Sequence, residues 1–158
     1  MGDKRRFNLF AEAILKKFPS TQYKRIADIA GGRGHLQIAL RKRGYESITT
    51  FDHRPRRAKG TKYVNRLFSS RTKGAFDLLV GMHPDEATDV IIDAAAKRNV
   101  PFIICPCCVK PSILPQETIA YRIWIHRLRM FAQKLGFSCE VIYLKMSGKN
   151  AVLIGRPR

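Results

Sequence analysis

The chain has 158 residues and carries 30 Lys and Arg against 12 Asp and Glu, a formal net charge of +18. That length holds one ordinary domain with a real core and excludes a cofactor domain joined to a separate catalytic domain. A hydrophobic share of 45% excludes a disordered basic tail, and the charge points to a polyanionic partner, nucleic acid first, because neutralising phosphates is the common use of so many cations.

The cations come in short runs, DKRR, LRKRG and HRPRRAKG, and no long basic amphipathic tract suited to a membrane surface occurs. No apolar run approaches the ~18 residues of a membrane span, and no leader is read at the start, so a soluble cytoplasmic protein is expected. Cys105, Cys107, Cys108 and Cys139 include an adjacent pair and lack the spacing of a disulfide framework, which fits a reducing compartment.

In chain order, Phe7, Phe10, Ile14 and Phe18 recur at helical spacing and predict an N-terminal helix, ended by Pro19, within residues 1–20. RIADIAG reads as a buried strand, HLQIALRKRG as a helix stopped by Gly44, and SITTFD as a second strand, together one βαβ unit. A weak third strand is expected near 62–68, then FDLLVGM as a strand, DEATDVIIDAAAKR as a helix and PFIICPC as another buried strand. A long helix follows, with Pro115 in its first turn, Glu117 complementing its dipole and Gly136 at its end. Ile119, Trp124, Leu128, Phe131 and Leu135 form its apolar side, and Arg122, His126, Arg129 and Gln133 fall on another face. CEVIYLK and AVLIGR close the chain as a hairpin. The pattern predicts one α/β domain over residues 1–158, a Rossmann-like, three-layer, mostly parallel sheet with a C-terminal antiparallel hairpin.

The stretch DIAGGRGHL delivers a strand into glycines and then a helix, where the backbone can approach an anion or cofactor closely. A dinucleotide fingerprint needs a third glycine where Gln37 stands, and SGKN lacks the Ser or Thr that a phosphate loop requires after Lys149. A nicotinamide oxidoreductase is disfavoured on the first count and on the lack of a substrate domain. DIAGGRG resembles the first motif of the class I S-adenosylmethionine-dependent methyltransferases: Asp28, Gly32 and Gly34 match, and Ala30 replaces the first glycine. The resemblance implies S-adenosylmethionine as cofactor, held by Asp28, Ala30, Gly31, Gly32, Gly34 and His35 of the turn. It also implies Asp52 and His53 after the second strand, with Asp52 on the ribose hydroxyls, and Met82 and His83 after the fourth.

The segments MHPDEATD and PCC follow the fourth and fifth strands. Together they resemble tRNA ribose 2′-O-methylases, which place a His segment with a downstream Thr-Asp, and a Cys-Cys segment, at these positions. Pro84, Asp85 and Glu86 depart from that pattern. The Pro-Pro-aromatic motif of amino-methylases is absent, which favours a ribose hydroxyl or a base carbon as acceptor. His83 is then a candidate general base, because imidazole titrates near neutral pH, with Asp85 to orient it or to cap the next helix. Alternatively, Cys107 or Cys108 adds to a pyrimidine and activates C5 for methylation, although buried cysteines more often serve packing. No metal is expected, since Cys105, Cys107 and Cys108 lack paired C-x-x-C knuckles.

A phosphate track through Arg54, Arg56, Arg57, Lys110, Arg122 and Arg129 is expected to hold structured RNA, tRNA or rRNA, with salt-sensitive affinity. With no appended RNA-binding domain, recognition falls to this domain, a homodimer or an accessory protein. The competing reading is a non-catalytic RNA-binding module with a vestigial cofactor pocket.

Overall fold

The protein is described here over residues 2–158 by a computed structural model. The apolar runs form strands β1 (Arg25–Ile29), β2 (Ser47–Phe51), β3 (Tyr63–Val64), β4 (Leu78–Met82), β5 (Phe102–Cys105), β6 (Phe137–Tyr143) and β7 (Ala151–Pro157). The helices are α1 (Arg6–Lys17), α2 (His35–Arg41), α3 (Thr88–Arg98) and α4 (Tyr121–Lys134), with a single 3₁₀ turn at Asp85–Ala87 leading into α3. The seven strands lie in the order β3-β2-β1-β4-β5-β7-β6, and only β7 runs against its neighbours. The order reverses beside β1, since β2 lies on one side of it and β4 on the other. In open α/β sheets that switch point opens a crevice at the carboxyl ends of the strands.

Strand periodicity explains the layers. Ile26, Leu78, Val80, Ile103 and Val152 face Phe10, Ile14, Leu36 and Leu40 of α1 and α2. Their neighbours in sequence, Ala27, Leu79, Phe102, Ile104 and Leu153, face Ile91, Ala95, Trp124 and Leu128 of α3 and α4. Both faces of the sheet are therefore covered, which is why these strands read as continuous apolar runs. Each such Val, Leu, Ile or Phe side chain contributes about 1.5–3 kcal/mol by leaving water. Among the described residues, no helix is long and apolar enough to cross a membrane.

Three expectations change. The long helix begins at Tyr121, and Ala120 before it is extended (φ −65°, ψ 150°). Pro115 and Glu117 thus precede the helix, and Glu117 instead pairs with Arg127 at 2.7 Å. Ile119 also lies outside the helix, and Leu135 is 39% exposed, so the apolar side narrows to Trp124, Ile125, Leu128 and Ala132. The third strand shortens to Tyr63–Val64, pairing only with Thr50 and Phe51.

Candidate active site

The turn after β1 rests on a buried acid. Asp28 is fully buried, its Oδ2 accepts a bond from Thr50 Oγ1 at 2.9 Å, and its Oδ1 has no partner among the described residues. Burial pushes its carboxyl up to about 7, against the Thr50 bond and with a further push from the charge of Asp52. A Cβ on Gly31 would sit 2.3 Å from Asp28 Oδ2, so only glycine lets the turn lie on this carboxylate. Ala30 (φ 53°), Gly32 (φ 58°) and Gly34 (φ 86°) carry the left-handed bends, and a Cβ on Gly32 would meet nothing within 4 Å. Asp28 therefore supports the turn from beneath, and open space lies beside Gly32.

Gln37 explains the missing third glycine. Its Nε2 donates to Thr50 Oγ1 and to the Lys62 carbonyl, both at 2.9 Å, and its Oε1 accepts from Lys62 N at 2.8 Å. One amide thus ties α2 to β2 and to the approach to β3.

Asp52, at the end of β2, is 3% exposed and saturated with donors. Gly32 N reaches Oδ2 at 2.8 Å, and Arg54 supplies N and Nε to Oδ1 at 2.9 and 3.0 Å and Nη2 to Oδ2 at 3.1 Å. Desolvation pushes this carboxyl up, but the Arg54 and Gly32 bonds outweigh it and hold it below the ordinary value. The Tyr63 hydroxyl sits 2.9 Å from the Gly32 carbonyl and 2.7 Å from that of Arg54, which locks the two loops together. His53 is exposed, its Nδ1 3.9 Å from Asp52 Oδ1.

These ends wall a cavity of about 560 Å³ with Ala30, Asp52, His53, Arg54, Leu67, Phe68 and Asp85 on its sides. A second hollow of about 800 Å³ shares Phe51, Arg66 and Leu67 with it. Lys62, Arg66, Arg71 and Lys73 line that hollow with no acidic side chain beside them; Arg25, also on its wall, is paired with Asp77 at 2.6 Å.

Beyond β4 and β5 the chemistry differs. His83 is held in a left-handed conformation (φ 52°), its N–H donating to the Cys105 carbonyl at 2.9 Å. Its Nε2 lies 3.0 Å from the Lys149 carbonyl. A carbonyl only accepts, so the bond places the proton on Nε2 and leaves Nδ1 as the free acceptor. Desolvation lowers the His83 pKa below 6.5, so the ring is neutral at pH 7. Asp85 is also left-handed (φ 48°), and its Oδ1 lies 3.1 Å from Cys107 Sγ and 3.5 Å from Cys108 Sγ, with the sulfurs 3.4 Å apart. Burial, reinforced by the Asp85 carboxylate, raises both thiol pKa values. Cys105 is fully buried, and burial pushes its thiol up to about 12, so it is a packing residue.

Asp89 is fully buried and ties the loop after β5 to α3. Its carboxylate accepts from the backbone N–H groups of Ser112, Ile113 and Leu114 at 3.0, 2.8 and 2.9 Å. Thr88 Oγ1 donates to the Asp85 carbonyl at 2.8 Å, so the Thr-Asp pair fixes both loops at this edge.

The remaining residues scatter. Met82 is buried at 5% in the core beneath α1 and α2, and His35 is exposed, its ring 5.5 Å from Phe7. Arg56, Arg57, Lys110, Arg122 and Arg129 are exposed. The Arg129 carbonyl lies 4.0 Å from Cys139 Sγ, and Cys139 pairs with Gly155, opposite Phe102 at the start of β5. Arg129 thus belongs to the end of the sheet away from the cavity and is not continuous with Arg54. Sequence reasoning passed over Arg66, Arg71, Lys73 and the Lys149 carbonyl. RLFSSRTKG was the available signal for the first three, a basic run directly after the third strand.

No protein-family model and no curated protein sequence matches the chain. Among solved structures, the ribosomal protein L11 methylase from Lactobacillus delbrueckii subsp. bulgaricus superposes with a TM-score of 0.70 at 16% identity, over 100% of this chain and 81% of that one. The fold is that of the class I methyltransferases. CalO1, a methyltransferase in calicheamicin biosynthesis crystallised in its SAH-bound form, gives 0.57 at 15% identity, over 98% of this chain and 53% of that one. EvdMO1 gives 0.64 at 20% identity, and this chain, 96% covered, spans 41% of it. This methyltransferase fold includes the closing hairpin, β6–β7, that the sequence predicts.

Proposed function

We propose that this chain is an S-adenosylmethionine-dependent methyltransferase that acts on RNA at a ribose 2′-hydroxyl. The observation that carries the first half is the pairing of Asp52 with the open side of Gly32 at the switch point of the sheet, around a cavity of about 560 Å³. Pockets for small ligands run from about 300 to 1,000 Å³, so the space suits such a cofactor. Bound there, the cofactor supplies a methyl group already activated on a sulfonium. What is left to the protein is positioning and proton removal.

Asp52 is the acceptor for the ribose hydroxyls. A carboxylate offers about four lone-pair sites, and Gly32 and Arg54 now fill them. A diol therefore displaces the Arg54 guanidinium, whose side chain is 40% exposed, and leaves the Gly32 bond in place. Asp28, sealed beneath Gly31, shapes the turn without lining the cavity. His83, whose neighbour Pro84 lines the cavity, presents a neutral ring with Nδ1 free to take the proton of an acceptor hydroxyl. Cysteine-mediated C5 methylation loses support because both exposed-side thiols are held protonated beside a carboxylate. RNA as acceptor is supported by the net charge of +18 and by the acid-free hollow that adjoins the cavity through Arg66.

The test is calorimetric titration with S-adenosylmethionine, with NAD as control, followed by transfer of labelled methyl to RNA and nuclease mapping of 2′-O-methyl groups. Micromolar binding to S-adenosylmethionine alone and label at ribose are the expected results. RNA binding without transfer, unaffected by Asp52→Ala, would instead establish the non-catalytic module, a reading favoured by the internal pairing of Asp52 with Arg54.

A further inference from the structure

We propose that Asp85, Cys107 and Cys108 form a site for a soft divalent cation, zinc above all, at the edge of the cavity that Asp85 lines. Their three ligand atoms already form a small triangle: Asp85 Oδ1 to the two sulfurs at 3.1 and 3.5 Å, and sulfur to sulfur at 3.4 Å. All three lie within 4.8 Å of one another and belong to half-buried residues. Zinc takes thiolate at about 2.3 Å and carboxylate oxygen at about 2.0–2.2 Å in a tetrahedron, which sets sulfur–sulfur and sulfur–oxygen edges of roughly 3.8 and 3.5 Å. The observed triangle reaches those edges by side-chain movements of a few tenths of an ångström.

The backbone holds the ligands from two different strands. Asp85 follows β4 in a left-handed conformation, φ 48°, which persists only where the surroundings enforce it. Here Thr88 Oγ1 bonds its carbonyl, and the Asp89 carboxylate anchors the loop after Cys107 and Cys108 through Ser112, Ile113 and Leu114. The two loops are thereby held in register by bonds besides those of the thiols, whose own contacts run only to the third ligand and to each other. Sequence spacing does not show this, because the third ligand comes from a different loop and the cysteines are adjacent, unlike a C-x-x-C knuckle.

The charges are compatible. Binding a divalent ion to the two thiols and the carboxylate releases two protons to solvent and leaves one net negative charge. The cations of Arg54, which feels the Asp85 charge, and Lys110, which feels Cys108, face that charge. Three protein ligands leave a fourth position open, as in catalytic rather than structural zinc sites. The site stands on these side chains alone and does not depend on methyl transfer.

The experiment uses the full chain, freed of metal by chelation and titrated with cobalt(II) and with zinc. One ion per chain is expected, with thiolate-to-cobalt charge-transfer absorption that weakens in Cys107→Ser and in Cys108→Ser and disappears in the double variant. Asp85→Ala should retain the absorption and weaken affinity roughly 10-fold or more, and Cys139→Ser should change nothing. On the unsubstituted chain, zinc should protect Cys107 and Cys108, but not Cys139, from alkylation, which keeps the test independent of how the variants fold. Failure to take up cobalt, an unchanged spectrum in the double variant, or equal alkylation with and without zinc would overturn the proposal.

Discussion

The ends of β1 and β2 and the ends of β4 and β5 share one edge of the sheet, yet they treat their polar side chains in opposite ways. At the first, donors converge on a carboxylate: Gly32 and Arg54 saturate Asp52 and keep it ionised. At the second, donors are scarce: burial keeps His83 neutral and both thiols protonated around Asp85. Asp28 sharpens the contrast within the first end. It lies one strand from Asp52, is more deeply buried, receives a single hydroxyl bond in place of four donors, and is pushed by that burial up to about 7. One end keeps its acid charged, and the other keeps its imidazole and thiols neutral.

The largest effect expected along this divide belongs to His83. His83→Ala should lower methyl transfer by roughly 10²–10⁴-fold while leaving the cofactor Kd unchanged. Because desolvation lowers its pKa, the acid-side midpoint of the rate of the unsubstituted protein should lie below 6.5. A loss of cofactor affinity in that variant would break the comparison. Next comes Asp89→Ala, which leaves three backbone N–H groups without their acceptor. It should cost roughly 3 kcal/mol in chemical denaturation. Asp52→Ala should weaken cofactor binding roughly 10–100-fold by calorimetry, since each bond to a charged acceptor contributes about 1.5–3 kcal/mol. Its effect on rate at saturating cofactor should be small, the reverse of the His83 pattern.

The most gradual effect is that of Asp28. Its folded pKa, about 7, lies above the ordinary value of 3.8, so its contribution to stability is complete below 3.8 and is lost as pH rises through about 7. Stability should therefore fall with pH in that window, by at most about 1.4 kcal/mol per pH unit, and Asp28→Asn should flatten the slope. An unchanged slope would place the titration elsewhere.

Much of the fold was legible because its signals are local. Alternation of Leu78, Leu79 and Val80 between two apolar layers demands a doubly covered sheet, and the glycines after Ile29 demand a turn. The start of α4 was misread for a physical reason. Pro115 and Glu117 are good first-turn residues, but Asp89, far back in the chain, captures the amides just before them in an irregular loop. Of the site, the glycine turn was legible from the residues themselves, Asp52 was pointed to by the family resemblance, and the bond that joins them is seen only in the structure. The Nε2 partner of His83, 66 residues away, and the grouping of Asp85 with Cys107 and Cys108 across two loops depend on tertiary structure. Arg129 shows the converse, since helical spacing joined it to Arg122 while the sheet carried it to the far end.

The Lys149 carbonyl that fixes His83 lies in the turn between β6 and β7. During synthesis, the glycine turn, the cavity walls and the loop held by Asp89 all emerge by residue 114, before that carbonyl exists. The imidazole therefore gains its orienting partner only when the β6–β7 hairpin is in place, so the alignment of the ring is decided by a segment made after every wall of the cavity.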